Sequence, residues 1–181
     1  MSVTAAKGFT AAGVKAGIKA SGNHDLALVR NEGPAKVAAG VFTTNRFQAA
    51  PVVWSIDVLA GGQLDAVVLN SGGANACTGP DGLADTRAMA EATASALGTT
   101  PDQVAVCSTG LIGVRLPMDA VHAGIAAAAA GLAADGASDA ALAIMTTDTV
   151  PKQAATTSEA GWSVGGMAKG AGMLAPALAT M

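Results

Sequence analysis

The chain offers few of the side chains that usually carry acid–base or nucleophilic chemistry. Its 181 residues include two histidines, two cysteines and thirteen acids. His24, between Asn23 and Asp25, reads as a solvated turn residue, and His122, beside Val121, as the outer face of a helix. The acids are spread singly, without the carboxylate pair that glycosidic chemistry uses. Cys107 precedes Ser108-Thr109-Gly110 and has the position of a nucleophile, but no histidine lies near it in sequence. A buried thiol at the end of an apolar strand is the expected reading. The glycine-rich segment Gly165–Gly172 holds Lys169 and suggests a phosphate loop. It fails on spacing: the lysine of such a loop is followed by Ser or Thr, whereas Gly170 and Ala171 follow here. Its glycines are then expected to serve tight turns or close backbone packing. The two histidines and two cysteines lie too far apart in sequence to predict a metal site.

Three segments are more specific when taken together. They are Ser108–Gly113 (STGLIG), Ile144–Thr149 (IMTTDT) and Lys169–Met181 (KGAGMLAPALATM). With the Gly- and Asn-rich segment Asn70–Gly79 (NSGGANACTG), they make the chain resemble the ornithine acetyltransferase family. These are the N-acetylglutamate-forming enzymes of arginine biosynthesis. The resemblance runs from Gly8-Phe9 to the last residue, and the final segment resembles the family's self-cleavage site.

The resemblance implies a specific chemistry. Family members cut themselves between Ala and Thr, here Ala179 and Thr180, when the threonine hydroxyl attacks the preceding carbonyl. Residues 1–179 would then be the α chain and residues 180–181 the start of the β chain. The freed amine of Thr180 would act as base to its own hydroxyl. An α-amino group titrates near pH 8, about two units closer to neutrality than lysine. Acetyl would pass from N2-acetyl-L-ornithine to Thr180 and on to L-glutamate. Thr109 and Gly110 match the family's oxyanion-hole pair, a hydroxyl and an N–H, and Thr146 and Lys169 match its substrate-contacting positions. Lys169 would meet a substrate carboxylate and, through like charge, lower the pKa of the Thr180 amine.

The implied fold is a layered α/β sandwich of mixed sheets flanked by helices, of the self-cleaving, N-terminal-nucleophile-like kind. The implied partner is the β chain of the same precursor, in an α2β2 heterotetramer. No cofactor is implied, although acetyl-CoA is a co-substrate in some members. Other readings are a non-catalytic half that needs the β chain, a related self-cleaving aminopeptidase, and a nucleotide binder at the glycine-rich segment.

The elements that must position these residues follow from composition and periodicity. Hydrophobic residues make up 51% of the chain and aromatics 3%, with no tyrosine, so disorder is excluded and the core must be built from small aliphatic residues. A net charge of −3 with scattered Lys and Arg excludes a nucleic-acid footprint. No apolar run approaches the roughly 20 residues of a membrane span, and the first residues show no secretory h-region. A cytoplasmic protein with reduced thiols is expected. Strands are predicted at Asp25–Val29, Val37–Thr43, Pro51–Ile56, Ala66–Leu69 and Val104–Cys107. Helices are predicted over Gly82–Leu97, stopped by Gly98, from Pro117 through Leu132, and from a Ser138 cap to Met145. The stretch from Trp162 onward reads as strand, tight turn and a final extended piece.

Overall fold

The computed structural model describes residues 2–172. Alternation along Leu26-Ala27-Leu28-Val29 divides the protein into two sides. Leu26 and Leu28 enter one buried cluster with Val68, Val104 and Val106, while Ala27 and Val29 enter another with Ala11, Ala140 and Ile144. The strands are β1 (Phe9–Val14), β2 (Leu26–Asn31), β3 (Ala66–Gly73) and β4 (Val104–Leu111), in spatial order β1-β2-β3-β4. The first two pairings are antiparallel and β3–β4 is parallel. A parallel pair needs a crossover, and α2 (Gly79–Leu97) supplies it.

Helix α2 buries Asp85, Thr86, Met89, Ala90, Thr93, Ala94 and Leu97, the stripe expected of an amphipathic helix. Gly98 ends it at φ +69°, the left-handed cap that the sequence predicts. Helix α3 (Met118–Ala130) adds Val121, Ile125 and Ala128 to the same side of the sheet. On the other side, α4 (Ala137–Ala143) lies against β1 and β2. The expected mixed sheet flanked by helices is therefore present. A separate hairpin, β5 (Lys152–Thr157) with β6 (Ser163–Ala168), leads to the last described residues.

The largest fully buried side chains include Leu26, Leu28, Met89 and Ile125, each contributing about 1.5–3 kcal/mol by burial. Small residues let layers close up where aromatics are lacking. At Gly13 a Cβ would overlap the backbone of Asp139 and Ala140, so α4 sits directly on β1.

The outer edge of β4 is sealed by α1 (Ala50–Leu59). Trp54 Nε1 donates to the Val104 carbonyl at 2.9 Å. Ser55 Oγ donates to the Val106 carbonyl at 2.8 Å and accepts the Val106 N–H at 3.1 Å. Two side chains thus replace a missing neighbouring strand on the ladder.

Several elements differ from expectation. Pro51–Ile56 is helical, because Pro51 falls in the first turn, where its missing N–H is tolerated, and Val52, Ser55 and Val58 share a buried face. Val37–Thr43 forms only an isolated bridge from Val37 to Gln63, with Val41 99% exposed. The last predicted helix, α4, starts at Ala137, one residue before the predicted Ser138 cap, and ends at Ala143. Pro117 is the N-cap of α3 and not its first helical residue. Strand β3 continues through Gly73, beyond the predicted end at Leu69 and into the Gly- and Asn-rich segment.

Replacing Ser55 by Ala should strand a buried N–H and a buried carbonyl on Val106. Chemical denaturation should show a loss of about 2–4 kcal/mol. An unchanged midpoint would mean that the edge is not held by this hydroxyl.

Candidate functional site

The site begins where β3 and β4 end. Their parallel register sets Asn70 opposite Ser108, Ser71 opposite Thr109 and Gly72 opposite Gly110, with an irregularity at Gly72 and Gly73. Below it lies a buried polar layer in which Ser108 Oγ donates to Asn70 Oδ1 at 2.5 Å and Asn70 Nδ2 to the Gly73 carbonyl at 3.0 Å. Gly110 is required here twice over. Its φ is +135°, and a Cβ would lie 2.5 Å from the carbonyl carbon of Gly72. The next stretch is tied to α2 by Arg115, whose Nε and Nη2 donate to the two oxygens of Asp85 at 3.0 and 2.6 Å.

A lysine reaches this end from the far side of the chain. Lys169 follows β6, whose Gly166 carbonyl accepts the Ser2 hydroxyl at 3.2 Å. Its Nζ donates to Thr109 Oγ1 at 2.9 Å and to Thr146 Oγ1 at 2.5 Å. Two of the three ammonium donors are thereby engaged, and the accepting threonines keep their own O–H groups for donation. Burial lowers the Lys169 pKa below the ordinary lysine value; the charge of Asp148 opposes this and that of Lys152 adds to it.

Asp148 joins the segment that holds Thr146 to the one that holds Lys169. Its Oδ1 accepts the Gly170 N–H at 2.7 Å and the Lys152 ammonium, and its Oδ2 accepts the Thr146 N–H at 3.3 Å. Burial by itself would raise this carboxyl's pKa, but the hydrogen bonds and the Lys152 charge bring it down to about 2.

A second lysine is delivered by the loop after β1. The fully buried carboxylate of Asp25 accepts four successive amides, from Ala16, Gly17, Ile18 and Lys19, at 2.6–3.1 Å. This anion-in-a-nest arrangement sets the path of the loop. Lys19 Nζ then donates to the carbonyls of His24 and Met145 at 2.8 and 2.6 Å. Burial lowers its pKa as well, with Asp25 and Asp148 opposing and Lys169 reinforcing the shift.

These groups line a cavity of about 500 Å³ formed by Lys19, Gly72, Thr109–Ile112, Thr146, Thr147 and Lys169–Ala171. Four residues singled out by sequence, Thr109, Gly110, Thr146 and Lys169, thus converge from β4, the stretch after α4 and the stretch after β6. Thr180 and Ala179 lie outside the described residues.

Apart from Gly72, which lines the cavity, the Asn70–Gly79 segment is scaffold. Beyond the Asn70 layer, buried Asn75 donates to the Gly82 carbonyl and to Thr86 Oγ1 and accepts the Thr78 hydroxyl. His24 lies near the surface, 4.0 Å from Asp139, and His122 is exposed. Burial pushes the Cys107 thiol up to about 11, which keeps it protonated and unreactive near neutral pH. Among the described residues no group of three or more His, Cys, Asp or Glu could hold a metal ion. Sequence reasoning missed Lys19 and Asp148. Asp148 stands inside the IMTTDT segment and could have been found there, whereas Lys19 carries no local signal.

The model of the ArgJ family matches residues 10–181. The arginine biosynthesis bifunctional protein ArgJ of Streptomyces coelicolor is 66% identical over all 181 residues, which are 47% of its length. Its counterpart from Mycobacterium tuberculosis is 63% identical over 99% of this chain and 46% of its own. The chain therefore spans about half the length of the curated relatives it matches. Among solved structures, ornithine acetyltransferase from M. tuberculosis, crystallised with ornithine, superposes with a TM-score of 0.95 at 62% identity, covering 97% of this chain and 94% of that one. ArgJ from Bacillus halodurans gives 0.88 at 42% identity, covering 97% and 93%. With its sequence matched almost from end to end and its fold superposing on these structures, the chain belongs to the ArgJ family.

Proposed function

We propose that this chain is the α half of a glutamate N-acetyltransferase that moves acetyl from N2-acetyl-L-ornithine to L-glutamate through an acetylated Thr180. The observation that carries the reading is the Lys169 ammonium held against the hydroxyls of Thr109 and Thr146 in the lining of the cavity. The relatives' names, and the ornithine in the structure from M. tuberculosis, support the choice of reaction and substrate.

In this reading Thr109 O–H and Gly110 N–H stabilise the oxyanion of the tetrahedral intermediate. A cation donating into the Thr109 oxygen polarises that hydroxyl and makes it a stronger donor. Lys169 thus supports the oxyanion hole from behind, in addition to attracting a substrate carboxylate. Ala179–Thr180 is the bond cut during maturation, and the Thr180 amine released by the cut serves as base to its own hydroxyl. The same oxyanion hole serves the cut and the transfer, since both pass through a tetrahedral centre. Acetyl-CoA is an alternative acetyl donor in this proposal, in keeping with the description of the relatives as bifunctional. The remaining half of the relatives' length corresponds to the β chain, which completes a cytoplasmic α2β2 assembly.

Intact mass of the protein produced together with its second half should give a β chain that begins at Thr180. Any other start refutes the assignment of the cut. Brief exposure to N-acetylornithine should add one acetyl group to that threonine; hydrolysis of peptide amides without acetyl transfer would point to a peptidase instead, and turnover by this chain without its second half would sink the requirement for a β chain.

Thr109→Ala should slow both self-cleavage and transfer by about 100- to 1000-fold, the usual cost of one oxyanion donor. Wild-type rates in that variant would remove Thr109 from the oxyanion hole.

A further inference from the structure

The cavity's polar groups come from four separate stretches of chain, with Lys19, Thr109, Thr146 and Lys169 on one each, and the Asp148 carboxylate is bonded to backbone amides on two of them. Asp148 accepts the amide of Thr146, whose hydroxyl holds Lys169, and the amide of Gly170, the residue after Lys169. With the bond from Lys169 to Thr146, these contacts close a ring: Thr146, Asp148, Gly170, Lys169 and back to Thr146. The Asp148 side chain is 1% exposed, so water offers these amides no substitute acceptor. The Lys152 ammonium supplies the countercharge, and it also donates to the Gly170 carbonyl at 2.9 Å.

We infer that Asp148 is a positioning residue for the transfer site: its carboxylate holds the amides of Thr146 and Gly170 so that the Lys169 ammonium stays on the hydroxyls of Thr109 and Thr146. It touches none of the reacting atoms and acts through Lys169. Among the described residues, the charged groups facing Lys169 are Asp148, Lys152 and Lys19, and of these only Asp148 is an anion. Removing that charge leaves a partly buried ammonium among cations, which favours loss of its proton. Where activity depends on a charged Lys169, its alkaline limit must then move to lower pH.

The kinetic part of the test rests on the acetyl-transfer reading, and the spectroscopic part does not. In the full two-chain protein with ¹³Cε-labelled lysine, the Lys169 signal is assigned by comparison with Lys169→Met. In Asp148→Asn it should titrate at least about one pH unit below wild type. The kcat for acetyl transfer should fall tenfold or more with KM changed less than threefold, and the alkaline limb of kcat/KM should move down with the titration. An unmoved titration overturns the inference, and so does a moved titration with wild-type kcat, since the lysine would then not need to be held.

Should the Asn variant fail to fold, Asp148→Glu decides. It keeps the charge but displaces the carboxylate, so the titration should stay within about half a unit while kcat falls severalfold. Wild-type kcat in that variant overturns the inference. If wild-type protein moves no acetyl at all, the reaction reading fails, while the titrations still decide whether Asp148 governs Lys169.

Discussion

The parallel pairing of β3 with β4 is the constraint around which the rest of the structure is arranged. It requires a crossover, which α2 provides, and it leaves β4 with an outer edge that α1 must close. It also determines what stands at the ends of the two strands. Thr109 and Gly110 lie beside Ser71 and Gly72 because of this register, and the backbones are so close there that a side chain on Gly110 would overlap Gly72. The hydroxyl and amide of the cavity are consequently held on a sheet, not on a loop. In the proposed reaction, little reorganisation is then needed as charge develops nearby.

The charges at the site form a layered arrangement. Two lysines converge on one cavity, which their mutual repulsion disfavours, and each is held by different means. Lys19 is tied to backbone carbonyls and accompanied by Asp25, whose four amide partners also shape the loop that carries it. Lys169 is tied to hydroxyls and accompanied by Asp148. The first arrangement builds the wall, and the second holds a cation against groups whose protons remain available. Burying either carboxylate is tolerable because each is saturated with donors.

What the sequence disclosed depended on the kind of signal. Strands β2, β3 and β4 were legible because each is an apolar run bounded by turn residues, and α2 and α3 because their stripes repeat at helical spacing. The edge helix α1 was not, since Pro51-Val52-Val53-Trp54 has the composition of a strand and its conformation is decided by docking of Ser55 and Trp54 on β4. Strand β5, fully exposed along Lys152–Thr157, carries no apolar alternation at all. Four site residues were legible through motif resemblance. Asp148 stood within a legible segment without a role of its own, and Lys19 was not legible because its bond to the Met145 carbonyl, distant in sequence, leaves no pattern in residue types.

The scarcity of aromatic residues also has an optical consequence. With no tyrosine in the chain, its near-ultraviolet absorption and emission come mainly from Trp54 and Trp162. Trp162 is 57% exposed at the tip of the hairpin, so its emission is that of a solvated indole whether or not the sheet is intact. Trp54 has its indole N–H on the Val104 carbonyl at the sealed edge of the sheet. A shift of the emission maximum on unfolding therefore reports mainly on one contact, the docking of α1 against the start of β4, and the chain carries its own fluorescent gauge of that edge.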